Sequence, residues 1–131
     1  MLLKKIVIYF KRKFKGNIMI TRDMTGPRMS KIVEYQNVIY FAGIVPLDKS
    51  LDVKGQTADV LKIAHGLFIK AGTSKEYILK AEIFLKDIDA DFAAFNEVWD
   101  EWVDKDNPPS RACVEGKMST PQTLVEIIFT A

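Results

Sequence analysis

A chain of 131 residues is sized for one domain around a single core. Its 48% hydrophobic and 27% charged content is ordinary for a globular protein, but the net charge of +2 conceals an uneven distribution. Lys4, Lys5, Lys11, Arg12, Lys13 and Lys15 crowd into residues 1–18, which hold no acid, leaving 13 basic against 17 acidic side chains in 19–131. That balance argues against nucleic-acid binding by the body of the chain, since phosphate contacts need clustered Lys and Arg. The single cysteine, Cys113, excludes an internal disulfide, and with the single histidine, His65, it falls short of a closed zinc set. No zinc site is expected, and the cysteine usage with the lack of a secretory signal points to a cytoplasmic location.

Residues 1–18 read as a basic extension outside the fold, followed by one domain over 19–131. The apolar run Ile6 to Phe10 is too short for a signal-peptide core or a membrane span, so no membrane contact is expected. A surface anchor or an ordered appendage are the other readings, and Met19 offers an alternative start.

In chain order, residues 19–24 suggest a short edge strand, broken by Thr25-Gly26-Pro27. Residues 31–36 and 38–44 read as a hairpin about Gln36-Asn37. It is apolar on both faces: Val33, Tyr35, Val38 and Tyr40 on one set of positions, Ile32, Ile39 and Phe41 on the other. Such strands need cover on both sides. Residues 56–71 predict a helix with Val60, Leu61, Ala64, Leu67 and Phe68 at helical spacing and Gly72 as its stop. Residues 77–86 alternate, with Leu79, Ala81, Ile83 and Leu85 inward. A second helix is expected from about Asp91 to Val103, capped by Asp89, with Phe92, Phe95, Trp99, Trp102 and Val103 as its apolar stripe.

Pro108 to Gly116 and Pro121 to Ile128 both alternate as strands and read as a closing hairpin. Ala112, Val114, Val125, Ile127 and Phe129 then share the core face. Arg111 and Cys113 share the opposite face, with Glu126 and Ile128 if the register allows. An arginine fork there suits a planar carboxylate ligand. Structural pairing of Arg111 with Glu126 is the plainer alternative. Cys113 fits a small buried residue better than a nucleophile, and His65 fits a solvated helix position. The order β-ββ-α-β-α-ββ gives an α+β fold: a mixed sheet with two helices packed on one face, the surplus apolar surface of the other face meeting further subunits.

The element order and the terminal motif resemble the Rid proteins (reactive intermediate deaminases, YjgF-like) over Met19 to Ala131. The matching stretches are Arg28-Met29-Ser30, Tyr40 to Pro46, Phe92 to Trp99, Pro109 to Glu115 and Leu124 to Ile127. Asp91 to Ala94 and Trp99 to Val103 resemble the YoaB-like branch. The resemblance implies a YjgF/chorismate mutase-like fold and a homotrimeric barrel with clefts between subunits. It also implies hydrolysis of small 2-imino or enamine acids to 2-keto acids and ammonia, as metabolite damage control without cofactor or metal. By the same resemblance Arg111 holds the substrate carboxylate, the backbone at Cys113 supports it, and Glu126 serves the attacking water. Gly43, Ala42, Met29 and Arg28 complete the pocket, and Asn96 matches a family position expected to bond loop backbone. Two positions depart from the pattern: Ala42 replaces a hydroxyl residue and Met29 an aromatic. A non-catalytic trimer binding small carboxylates is therefore the alternative. Ribonuclease activity, attributed to some members, conflicts with the acidic body.

Overall fold

The computed structural model describes residues 19–131, so the reading of 1–18 lies outside the described residues. Six strands form one sheet: β1 (Thr21–Thr25), β2 (Ser30–Tyr35), β3 (Val38–Phe41), β4 (Lys80–Leu85), β5 (Ser110–Glu115) and β6 (Val125–Thr130). Two helices, α1 (Val53–Ala71) and α2 (Ile88–Trp102), cover one face of it. α1 begins where the Asp52 carboxylate accepts from Gly55 N, and it ends at Gly72, whose φ of 76° supplies the left-handed stop. α2 is capped by Asp87, which accepts from Ala90 N, rather than by the expected Asp89. Both sites satisfy the rule for a cap carboxylate, and the true one lies two residues earlier because the helix starts at Ile88.

The strand order is β1-β2-β3-β6-β4-β5. Here the closing hairpin is corrected. β4 lies between β5 and β6, parallel to the first and antiparallel to the second. The nine-residue connection from Gly116 to Leu124 carries the chain across the end of β4 instead of turning back on itself.

Register fixes the faces. Ala81, Ile83 and Leu85 pair with Phe129, Ile127 and Val125 on one side and with Arg111, Cys113 and Glu115 on the other. All of these therefore point to the helix-covered face. Val125, Ile127 and Phe129 are fully buried there against Phe41, Phe68, Phe95 and Trp99, with Phe68 edge-on to Phe129 at 5.3 Å and Trp99 stacked on it at 6.3 Å. Ala112 and Val114, expected in the core, lie on the open face instead and are exposed. Leu79 and Phe92 are also exposed rather than inward. Leu79 precedes β4, after a short 3-10 turn (Lys75–Tyr77), so it lies outside the strand's alternation.

The open face carries Lys31, Val33, Tyr35, Val38, Tyr40, Phe84, Val114 and Ile128, with the Lys80–Glu82 ion pair at 3.2 Å among them. Tyr40, in an interior strand, is 49% exposed, an unusual position for an aromatic in a finished monomer.

Candidate functional site

Between the pairs Tyr40↔Thr130 and Ile44↔Ile127, the chain leaving β3 takes four steps while β6 takes three. The extra residue makes a bulge at Ala42-Gly43, which shortens the expected strand 38–44 to Val38–Phe41. Ala42 N donates to Lys31 O at 3.0 Å, holding the bulge to β2, and Ile44 and Ile127 exchange backbone bonds at 2.9 and 3.1 Å beyond it. Gly43 lets the Glu126 side chain close onto the backbone there. A Cβ at this position would collide with Glu126 Oε1 and stand 3.1 Å from its Cδ. The Glu126 carboxylate thus lies directly against the glycine backbone on the open face. It is half-buried and makes no hydrogen bond or ion pair among the described residues.

The strand bearing Glu126 is clamped by Gln56, a wholly buried α1 side chain. Gln56 Nε2 donates to Gln122 O at 2.9 Å and Leu51 O at 3.1 Å, and its Oε1 accepts from Leu124 N at 2.8 Å. One amide so ties the loop leaving the bulge to the segment entering β6.

Arg111 stands elsewhere. It projects from edge strand β5 toward α2, where its Nη1 donates to Asn96 Oδ1 at 2.7 Å and its guanidinium carbon lies 5.6 Å from the Trp99 ring centre. Asn96 therefore bonds the arginine side chain, not loop backbone as expected. Trp99 does double duty, buried against Phe95 and Phe129 on one side and facing a cation on the other. The fork keeps donors with no partner among the described residues, and it is exposed. Cys113, two residues on, is half-buried on the same face; burial pushes its thiol pKa up, partly opposed by the positive charge of Arg111. A thiol so raised is a poor nucleophile at neutral pH.

The sheet separates the two groups. Arg111 and Cys113 face the helices; Glu126 faces away, beside Gly43. Direct Arg111–Glu126 pairing within the chain does not occur. Met29 and Arg28 precede β2, near the bulge; both are exposed, and Arg28 forms no ion pair among the described residues. His65 is exposed on α1, far in sequence and element from both groups.

This division of an exposed arginine and an unpaired carboxylate over one α+β sheet coincides with a recognised family. Residues 24–131 match the family described as endoribonuclease L-PSP, Ribonuc_L-PSP. The chain belongs to this family, the YjgF/RutC proteins. It is 43% identical over 113 residues to a RutC family protein of Haemophilus influenzae, covering 86% of this chain and 97% of that one. Identity is 38% over 112 residues to the RutC family protein YoaB of Escherichia coli K12, with coverage of 86% and 96%. Against a protein named 3-aminoacrylate deaminase RutC, from Acinetobacter baylyi, it is 35% over 101 residues, with coverage of 72% and 79%. Among solved structures, a YjgF-family protein of Neisseria meningitidis superposes with a TM-score of 0.84 at 37% identity, over 88% of this chain and 95% of that one.

Within this YjgF/RutC member, the sequence placed Asn96 by its match to a family position but not as the partner of Arg111. Its signal was a lone amide in the α2 stripe, three residues before Trp99 and so on the same side of the helix. Gln56 gave none beyond its place beside the apolar positions of α1.

Proposed function

We propose that the chain is a deaminase of small 2-imino or enamine acids, with its site completed between copies in a homotrimer. Arg111 carries this reading: a guanidinium steadied by Asn96 and Trp99 at a sheet edge, with donors left for a planar carboxylate. An acid bound there presents its imine carbon to a face supplied by the neighbouring copy, where Glu126 lies against Gly43. An imine carbon is already electrophilic, so positioning of substrate and water supplies most of the catalysis. Glu126 takes a proton as water adds to the carbon and returns it to nitrogen, giving a carbinolamine; it then passes the hydroxyl proton to nitrogen as the C–N bond breaks, leaving a keto acid and ammonia.

The opposed placement of the two groups supports the shared site, as does the uncovered apolar face around Tyr40, Val33 and Ile128. The name borne by the Acinetobacter baylyi relative supports the chemistry. The test couples an amino-acid oxidase or dehydratase that releases imines to ammonia and keto-acid detection. Acceleration over buffer is expected, abolished by Arg111→Ala with assembly retained. No acceleration across a panel of imines would overturn turnover.

A second reading has its own observation. Ala42 brings a methyl group, not a hydroxyl, to the bulge beside Glu126. A carboxylate-binding trimer without turnover would show melting-temperature shifts with keto acids, lost in Arg111→Ala, and no ammonia release.

A further inference from the structure

The open face carries an uneven charge beside the Gly43 bulge. Arg22 of β1 pairs with Val33, and Lys31 of β2 precedes Ile32, which is buried on the helix side. Arg22 and Lys31 therefore project from the open face, and both are exposed. Arg28 is exposed in the turn between the two strands. The acids of the same hairpin take the other phase. Asp23 pairs with Ile32 and Glu34 with Ile39, so both belong to the helix side. None of the three cations forms an ion pair among the described residues.

Lys31 is the member that ordinary surface chemistry does not explain. Arg22 sits on an edge strand, where a cation guards against unwanted pairing. β2 is an interior strand. The Lys31 carbonyl accepts from Ala42 N at 3.0 Å, and the next residue, Gly43, has the Glu126 carboxylate packed against it. Lys31 and Glu126 thus flank the bulge on one face, their backbones about two strand spacings, roughly 10 Å, apart. They form no ion pair with each other. Only Ala42 and Gly43 lie between them in the sheet, so no bulky side chain fills the gap.

We propose that Lys31 determines substrate choice, selecting 2-imino acids that carry a second carboxylate on the side chain. The proposal rests on the deaminase reading above and deepens it. The 2-carboxylate binds Arg111 of one copy, and the imine carbon lies at Glu126 of the neighbour. The substrate side chain then continues across Gly43 to Lys31 of that same neighbour. A second carboxylate close to Glu126 is repelled by it, and a cation beside it offsets that repulsion. Lys31 supplies the cation, and Arg22 and Arg28 add to the positive field on its side of the bulge. A monocarboxylate gains nothing from any of the three. Charge attraction on an exposed face is screened, so the selection is moderate in size and weakens as salt is added.

The test compares imines generated by amino-acid oxidases from glutamate and from norvaline, which has an uncharged side chain of similar length. Keto-acid release above the buffer rate is measured for each. In the wild type the glutamate-derived imine should be preferred in kcat/KM by on the order of tenfold. Lys31→Met should bring that ratio toward one, and Lys31→Arg should retain it. Acceleration without preference, or a preference that survives in Lys31→Met, would overturn the selection while leaving the deaminase reading standing. No acceleration with either imine would overturn both. Light scattering accompanies each rate. Monomers in Lys31→Met where the wild type assembles would place Lys31 in the contact between copies and overturn the proposal.

Discussion

The two faces of the sheet obey different physics. On the helix side Val125, Ile127, Phe129, Ala81, Ile83 and Leu85 are all inaccessible to solvent, sealed under Phe68, Phe95 and Trp99. On the other side Tyr40, Val33, Phe84, Val114 and Ile128 remain partly or wholly exposed, with an unpaired Glu126 among them. The first face accounts for why the chain folds. The second reads as a surface waiting for company, and the contrast separates residues whose loss unfolds the protein from those whose loss disarms it.

Substitutions that break the contrast are ranked by size. Phe129→Ala should be the largest, costing about 3–5 kcal/mol of stability, because the ring fills space between Phe68, Trp99 and Trp102. Denaturant unfolding measures it. Next comes a complementation test of the proposed shared site. Arg111→Ala and Glu126→Gln should each be inactive alone, yet mixed subunits should regain activity at about a quarter of their sites, since each site then draws on two different chains. No recovery after mixing by mild unfolding and refolding would overturn the shared site. Gly43→Ala should reduce turnover by on the order of tenfold or more while changing stability little, because the new methyl displaces the end of a flexible Glu126 side chain and not backbone. Tyr40→Lys should change the stability of the isolated chain least, by about 0.5 kcal/mol or less, yet reduce the proposed trimer to monomers by light scattering. Finally, Cys113 should react with iodoacetamide more slowly than a free thiol at neutral pH and faster as pH rises, since its pKa is raised by burial.

The helices were legible because their periodicity is local: Val60, Leu61, Ala64, Leu67 and Phe68 announce α1 unaided, and all are buried. Alternation within each strand was equally legible, so Arg111 was rightly grouped with Cys113 and Val125 with Ile127 and Phe129. The phase between those two groups was not. It is set by β4, which enters between β5 and β6, and a hairpin reading inverts every relation across it. The length of the segment 116–124, too long for a tight turn, was the available warning. The family resemblance survives this correction, because it rests on which residues are present. The intrachain Arg111–Glu126 face does not. The bulge at Ala42-Gly43 was hidden for a similar reason, being a mismatch of step counts against a partner strand distant in sequence.

Both tryptophans of the chain sit on α2, three residues apart. Trp99 lies under the Arg111 guanidinium and Trp102 under the Lys75 ammonium. Their emission is therefore a native optical gauge: drawing a cation off either indole changes its quenching without any added dye. Replacing one tryptophan at a time by phenylalanine would divide the signal, so that one colour change reports an acid arriving at the sheet edge and the other reports events on the helical surface.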